Sequence, residues 1–375
     1  MRLQTFLGYR LLAATLIISQ GVWAQNCTSF TIRTAEDLKA ARRCPEVFGD
    51  VIIGTELSHV NLDGIETIHG NFETLAICRG ERPGCNLDWP LDTISSTTLT
   101  TVGGRLLMSW SGGLRNITLP KLRAVGRQFN LHTVPRLAYL DISLLESVGR
   151  FKIDAQNLTT MRHEGLRNLT GEGHTVKEII LSVGLETIDS VLKYPLSVDQ
   201  VYLYLNPRVK KVNFGLANTT QLLIYTNVTL GNRFQAIDGS TTVVVGGPET
   251  KTMHVREFYC QNATVELERL PSLGMLTVNE FRMDGSGHLE KLALPFDELR
   301  DLIIQETETL RWLSNSPQAT RWANFSITIP SDNKALNLSS EYLADESGKM
   351  VRSWYWPQKD IQYVNINAIL GDGFL

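Results

Sequence analysis

Three valine-glycine pairs, Val102-Gly103, Val125-Gly126 and Val148-Gly149, stand 23 residues apart, and a fixed period of that length restricts a chain to stacked repeats. Leu114 and Leu137, Leu119 and Ile142, and Leu122 and Leu145 keep the same step. The unit is approximately Leu-x-x-Ile-x-Leu-x-x-Leu-x-x-Val-Gly, followed by an alternating apolar run such as Phe129-Asn130-Leu131. Looser copies occur at Leu270-Pro271-Ser272-Leu273 and Leu294-Pro295. Within the units apolar residues alternate, as in Leu106-x-Met108-x-Trp110, Val201-x-Leu203-x-Leu205 and Phe325-x-Ile327-x-Ile329. Alternation marks strands with one buried face. Short strands in a repeated unit with turn residues between them read as an all-β, right-handed β-helix or solenoid with coils of about 23 residues. About 300 residues of such coils predict roughly 13 rungs and a rod on the order of 60 Å. The leucine-rich horseshoe is the nearest competitor, and its helical side and asparagine ladder are missing from these units.

An open solenoid end exposes strand edges and needs a cap. Residues 34–43 fit a short capping helix, with Thr34 as N-cap, Asp37 three positions on, and two arginines in the last turn. The local cysteine pairs predict bridges Cys27 to Cys44 and Cys78 to Cys85, the first worth on the order of 3 kcal/mol by loop closure. Cys260 is left over and reads as a buried thiol. The pieces Gly64-Ile65-Glu66-Thr67-Ile68 and Gly184-Leu185-Glu186-Thr187-Ile188 suggest two similar halves, with a junction in residues 161–176. Beyond Ser331 the repeat fades, and Trp354, Tyr355 and Trp356 read as a distal cap.

Arg2 and Arg10, the apolar run from Leu11 to Ile18 and the small residue Ala24 make residues 1–24 a signal-peptide pattern. No stretch approaches the roughly 20 apolar residues of a spanning helix. Acceptor tripeptides stand at Asn26, Asn116, Asn157, Asn168, Asn218, Asn227, Asn262, Asn324 and Asn337, well above the roughly three that chance supplies. Together these features predict a secreted, N-glycosylated protein whose occupied asparagines face solvent. A formal net charge of −3 argues against a nucleic-acid partner.

The same residues carry few catalytic or metal-binding signatures. Glycoside hydrolysis needs two carboxyl groups across the scissile bond, for which Asp297-Glu298, Glu306 with Glu308, and Glu266 with Glu268 are candidates. Isolated acidic pairs on a polar face are usually solvation. His59, His69, His132, His163, His174, His254 and His288 never take a metal-ligand spacing. No serine-nucleophile elbow, P-loop or dinucleotide fingerprint occurs, and neither a cofactor nor a catalytic residue is expected. Aromatic side chains offer the best route to binding, because a sugar's C–H face stacks on a ring while its hydroxyls take polar neighbours. Tyr202 and Tyr204 lie opposite the buried alternation of Val201, Leu203 and Leu205 and are the candidate ligand face. Trp312, Trp322, Trp354 and Trp356 read first as cap packing and second as sugar-stacking groups.

Cys27-x-x-Phe30-x-Ile32, Asp37-Leu38, Cys44 and Val51-x-Ile53 resemble the opening of receptor L-domains. With Gly64-Ile65-Glu66-Thr67-Ile68-His69-Gly70-Asn71 and the Leu-Pro-x-Leu-x-x-Val-Gly units, the chain resembles fungal cell-surface glycoproteins of the extracellular-mutant and sporulation-specific kind. The resemblance implies L-domain-like solenoids over residues 25–165 and 166–330, with a tail over 331–375. It also implies a non-catalytic glycoprotein of the cell wall or the outer face of the plasma membrane, contributing to wall organisation or surface recognition. Its expected partners are wall polysaccharide or cell-surface proteins. The family commonly carries a GPI anchor, whereas Ile366 to Leu375 reads as too short and interrupted for the apolar tail such an anchor needs. Two rivals are a secreted β-helix enzyme acting on wall polysaccharide and a fragment of an animal-type growth-factor receptor.

Overall fold

The computed structural model describes residues 27–368 apart from 55, 76–89, 172–175, 206–208, 210, 226–240, 248, 262–264, 286–288, 306, 308, 317–318, 330–335 and 339–360. The signal segment, Asn26, Cys78, Cys85, Asn227, Asn262, His174, His288, Glu306, Glu308, Trp354, Tyr355 and Trp356 lie outside the described residues. The chain is a β-solenoid of about 11 turns with coils of about 23 residues, 54% strand and 3% helix. Every described strand pairing is parallel, as in Asn116–Thr118 on Tyr139–Asp141.

Each coil has three walls. The first two are the two arms of one bent sheet, for example Val125 and then Phe129 to Leu131 within the strand Ala124–His132. The third wall is built from a five-stranded and two three-stranded sheets. Alternation does what period two predicts: one set of side chains fills the tube. Along the second wall Phe72, Leu106, Phe129, Phe151, Ile179, Val201, Leu222, Phe258, Phe281, Leu302 and Phe325 form one in-register inner row, and all are buried. Stacking like on like aligns aromatic rings, so Phe129 and Phe151 lie 5.2 Å apart.

The repeat motif has a physical origin at the corners. The valine of each valine-glycine pair packs inward on the first wall, and the glycine sits where successive backbones turn toward the second. A Cβ on Gly126 would run into the carbonyl oxygen of Gly103, and one on Gly149 into that of Arg127. The Leu-x-x-Leu part closes the opposite corner: the Leu122 amide donates to Leu119 at 3.1 Å, that of Leu145 to Ile142 at 3.0 Å and that of Leu273 to Leu270 at 3.0 Å. All six side chains in those turns except Leu270 are fully buried.

The helix Ala35–Ala41 covers the first rung. Thr34 and Asp37 form the expected capping box, with Asp37 Oδ2 accepting the Thr34 amide at 2.9 Å and that of Arg33 at 3.0 Å. Those backbone donors hold the Asp37 carboxyl below its ordinary range. Arg42 is the C-cap, so the two arginines sit just past the last turn and Lys39 is the basic residue within it. The disulfide Cys27 to Cys44 pins both sides of this cap.

Three expectations change. Trp110 does not continue the inward alternation of Leu106 and Met108; its φ of 58° turns the chain out of the strand, and its ring meets His132 edge-on at 5.6 Å. The turns number about 11 and not roughly 13, because some coils are enlarged: Asn71 and Arg105 on adjacent rungs are 34 residues apart, and Gln221 and Glu257 are 36 apart. Beyond Ser331 the described segments belong to the solenoid. Tyr363–Asn367 adds a parallel rung against Asn324 to Thr328, and Asn337–Leu338 pairs with Trp312 and Leu313.

His163 is buried where the third wall turns back to the first, 7% exposed, with Nδ1 accepting the Gly165 amide at 3.1 Å. Burial pushes its pKa down from 6.5 to about 4, against carbonyl contacts from Ser190 and Leu145 that raise it. Folding therefore favours the neutral ring, and the unfolded chain takes up a proton first as pH falls. Stability should be full above pH 6.5, fall by up to about 3 kcal/mol between pH 6.5 and 4, and change no further from this group below that. Unfolding curves of wild type and His163→Phe across this range check it: the variant loses this component of the pH dependence, and parallel curves refute it.

Candidate functional site

The second wall turns its other face outward, and there the rungs gather tyrosines. Strand Ser197–Leu205 presents Tyr202 and Tyr204, and register places Tyr202 between Ile180 and Leu223, and Tyr204 between Ser182 and Tyr225. One rung further on, Tyr259 follows Leu223 and Gln261 follows Tyr225. The site is thus wider than the two predicted residues: Tyr202, Tyr204, Tyr225 and Tyr259 occupy three successive rungs, all half-buried. Tyr204 and Tyr225 lie stacked, centroids 5.1 Å apart and planes within 7°. In the row of Tyr202, Leu223 lies between Tyr202 and Tyr259 and Ile180 precedes Tyr202, both half-buried.

A polar margin runs beside them. Gln221 Oε1 accepts the Tyr202 hydroxyl at 3.2 Å and Gln200 Nε2 at 3.3 Å, and Gln221 Nε2 donates to Glu257 at 2.9 Å. The Tyr259 hydroxyl donates to Glu280 at 3.2 Å. Burial raises the phenol pKa values of Tyr202 and Tyr204, and burial with the Glu280 and Glu257 charges pushes Tyr259 up to about 12. The hydroxyls are neutral at ordinary pH, able both to donate and to accept. Acidic groups here are locally balanced: Arg282 reaches Asp284 at 2.7 Å, Arg300 reaches Asp301 at 2.7 Å, and Arg256 stands 3.8 Å from Glu257. A flat ring surface edged by phenol hydroxyls, glutamine amides and two carboxylates suits an extended, hydroxyl-rich ligand.

Acceptor asparagines lie elsewhere. Asn157, Asn168 and Asn218 are exposed, and Asn116 is half-buried. Asn116 belongs to the third wall, Asn168 and Asn218 to the first arm of the bent sheet, and Asn157 to the corner after the strand Ser147–Ala155. Asn324 alone of the described acceptors with a placed side chain is on the second wall, several rungs from the tyrosines. It is half-buried, with Nδ2 donating to Asp301 Oδ1 at 2.6 Å, so Asn116 and Asn324 are less open to solvent than Asn157, Asn168 and Asn218. Of Asn337 only the backbone pairing is described.

The remaining candidates separate into structural roles. Asp297 is buried and paired with Arg269 at 2.6 Å, which removes it from any open carboxylate pair. Glu298 is half-buried beside it, and Glu266 and Glu268 are exposed on the third wall. His69 stacks on Phe48 at 4.9 Å and meets Glu46 at 3.3 Å; His132 faces Asp154 at 3.6 Å; His59 and His254 are exposed. Among the described residues no group of three or more His, Cys, Asp or Glu could hold a metal ion, and no helix is long and apolar enough to cross a membrane. Cys260 is fully buried between Ile224 and Met283, and burial pushes its thiol pKa far up. Trp322 is fully buried and belongs to the core, not to a ligand face; Trp312 is half-buried on the third wall.

Sequence reasoning reached Tyr202 and Tyr204 because their strand alternates cleanly. Tyr225 and Tyr259 carry the same signal, outward of Leu222 with Ile224 and of Phe258 with Cys260, but the 36-residue step between those rungs hides their neighbourhood. No protein-family model, curated protein or solved structure matches this chain.

Proposed function

We propose that this protein is a secreted, N-glycosylated, non-catalytic component of the cell surface, of the receptor L-domain-like fungal glycoprotein kind, that holds a wall polysaccharide on the outward face of its second wall. The observation that carries the reading is the tyrosine face itself: the Tyr204 and Tyr225 stack with Tyr202 and Tyr259 on the three rungs, edged by Gln200, Gln221 and Glu257. A parallel solenoid displays such groups along its axis at about 4.8 Å per rung, a repeating display matched to a repeating polymer. The leader pattern, the excess of acceptor tripeptides and the Cys27 to Cys44 bridge support an oxidising, extracellular setting.

The test is saturable binding of the mature chain to glucan, mannan and chitin oligomers and to isolated wall fractions, with products analysed in parallel. Tyr204→Ala with Tyr225→Ala should weaken binding about 10- to 100-fold, from about 1 kcal/mol of stacking per ring, while circular dichroism stays that of the wild type. Binding that ignores both substitutions moves the ligand off this face. Binding to a surface protein and to no glycan supports the partner-protein form of the role, and release of oligosaccharides supports the polysaccharide-degrading alternative.

A further inference from the structure

The strand Arg321–Thr328 places Asn324 at the edge of the second wall, where it begins the acceptor tripeptide Asn324-Phe325-Ser326. The asparagine borders a polar cavity of about 450 Å³ lined also by Glu298, Arg300, Asp301, Arg321 and Gln362, within the roughly 300–1,000 Å³ of small-molecule sites. Asp301 is fixed in this wall from both sides: Oδ1 accepts Asn324 Nδ2 at 2.6 Å and Oδ2 accepts Arg300 Nε at 2.7 Å. The backbones of Val278 and Leu299, whose side chains point into the tube, and the buried Ala323 complete the lining. Carboxylates, guanidinium groups and amides converging on one cavity form the kind of polar site that seats the hydroxyls of one pyranose.

We infer that the occupant of this cavity is the chain's own first sugar, carried on Asn324, so that this glycan packs as part of the solenoid while those on Asn157, Asn168 and Asn218 enter solvent. The inference rests on the secreted-glycoprotein reading above. Transfer from a polyprenyl-pyrophosphate-linked oligosaccharide forms the Nδ2–C1 bond, breaks the bond from C1 to the pyrophosphate oxygen, and releases one amide proton with the lipid pyrophosphate. One N–H remains on Nδ2, which leaves a donor for Asp301. An outside ligand would have to compete with a glycan tethered at the cavity's own wall, which is why the tethered sugar is the better occupant.

The secreted protein is tested by peptide mapping of each acceptor and by timed endoglycosidase release from native and denatured chains. Asn324 should be modified, and its glycan should leave the native protein about ten-fold more slowly than those on Asn157, Asn168 and Asn218, with the difference gone after denaturation. Ser326→Ala removes the acceptor yet keeps the Asn324 to Asp301 bond, and Ser326→Thr keeps both; the alanine variant should melt lower than the threonine variant. Modification of the exposed sites with Asn324 bare overturns this inference and leaves the glycoprotein reading standing. Absence of glycan at every site overturns both. Equal release rates with equal melting of the two Ser326 variants overturn the seat.

Discussion

Replacing Asp297 with alanine should destabilise the protein by about 3–5 kcal/mol, because it strands a buried guanidinium without its counter-charge. Asp297 Oδ1 accepts Arg269 Nη1 at 2.6 Å and Oδ2 accepts the Leu276 amide at 2.7 Å. Its own amide donates to the Leu276 carbonyl at 3.0 Å, and its carbonyl accepts the Thr320 amide at 2.8 Å. Arg269 uses its other nitrogens on the Leu273 carbonyl, at 3.2 and 2.7 Å. The two side chains are only 13% and 10% exposed, so water cannot replace either partner. One carboxylate thus ties the end of the third-wall strand Val265–Arg269 to first-wall backbone on successive rungs. Removing both charges should cost less than removing one, so Arg269→Met with Asp297→Leu should be more stable than Asp297→Ala alone. Because coils interact mainly with their neighbours, hydrogen exchange should locate the loss around Leu276 and Leu299. A single alanine variant within about 1 kcal/mol of wild type would show that the pair contributes little.

The features legible in the sequence are those repeated at constant spacing. Val102, Val125 and Val148 announce the inner row of the first wall, and the glycines beside them announce a corner at which no Cβ fits. The Leu-x-x-Leu turns and the Thr34 to Asp37 capping box are equally local, each fixed by a hydrogen bond within three residues. Legibility fails where a coil is enlarged. The step from Gln221 to Glu257 puts Tyr259 far from Leu223 in sequence and beside it in register, so that ring is silent to a 23-residue template, whereas Tyr225 follows Tyr204 by an ordinary coil. For the same reason Tyr363–Asn367 looks like a tail and is a rung. The cavity beside Asn324 has no sequence signal at all, since Asn279, Arg300 and Arg321 meet there only through stacking of three coils.

Trp322 is the instructive aromatic, because its residue type suggests sugar stacking and its place in the fold assigns it otherwise. It occupies the first-wall inner row after Val255, Val278 and Leu299. The side chains of that row grow toward the last described first-wall rung, where the indole closes the file. Its Nε1 donates to the Phe296 carbonyl at 3.4 Å, and its ring lies 5.5 Å from that of Phe325. Trp322→Ala should therefore cost about 3–5 kcal/mol, through lost burial, an unfilled cavity and an unpaired carbonyl. Trp322→Phe should cost less, since it keeps most of the volume. The damage should be local: hydrogen-exchange protection falls along Arg321–Thr328 and Tyr363–Asn367, while the coils from Phe30 to Phe151 keep theirs. Glycan binding at Tyr204 and Tyr225, several rungs away, should persist in any Trp322 variant that remains folded. Loss of binding with stability unchanged would return the indole to the ligand face and remove it from the core role assigned here.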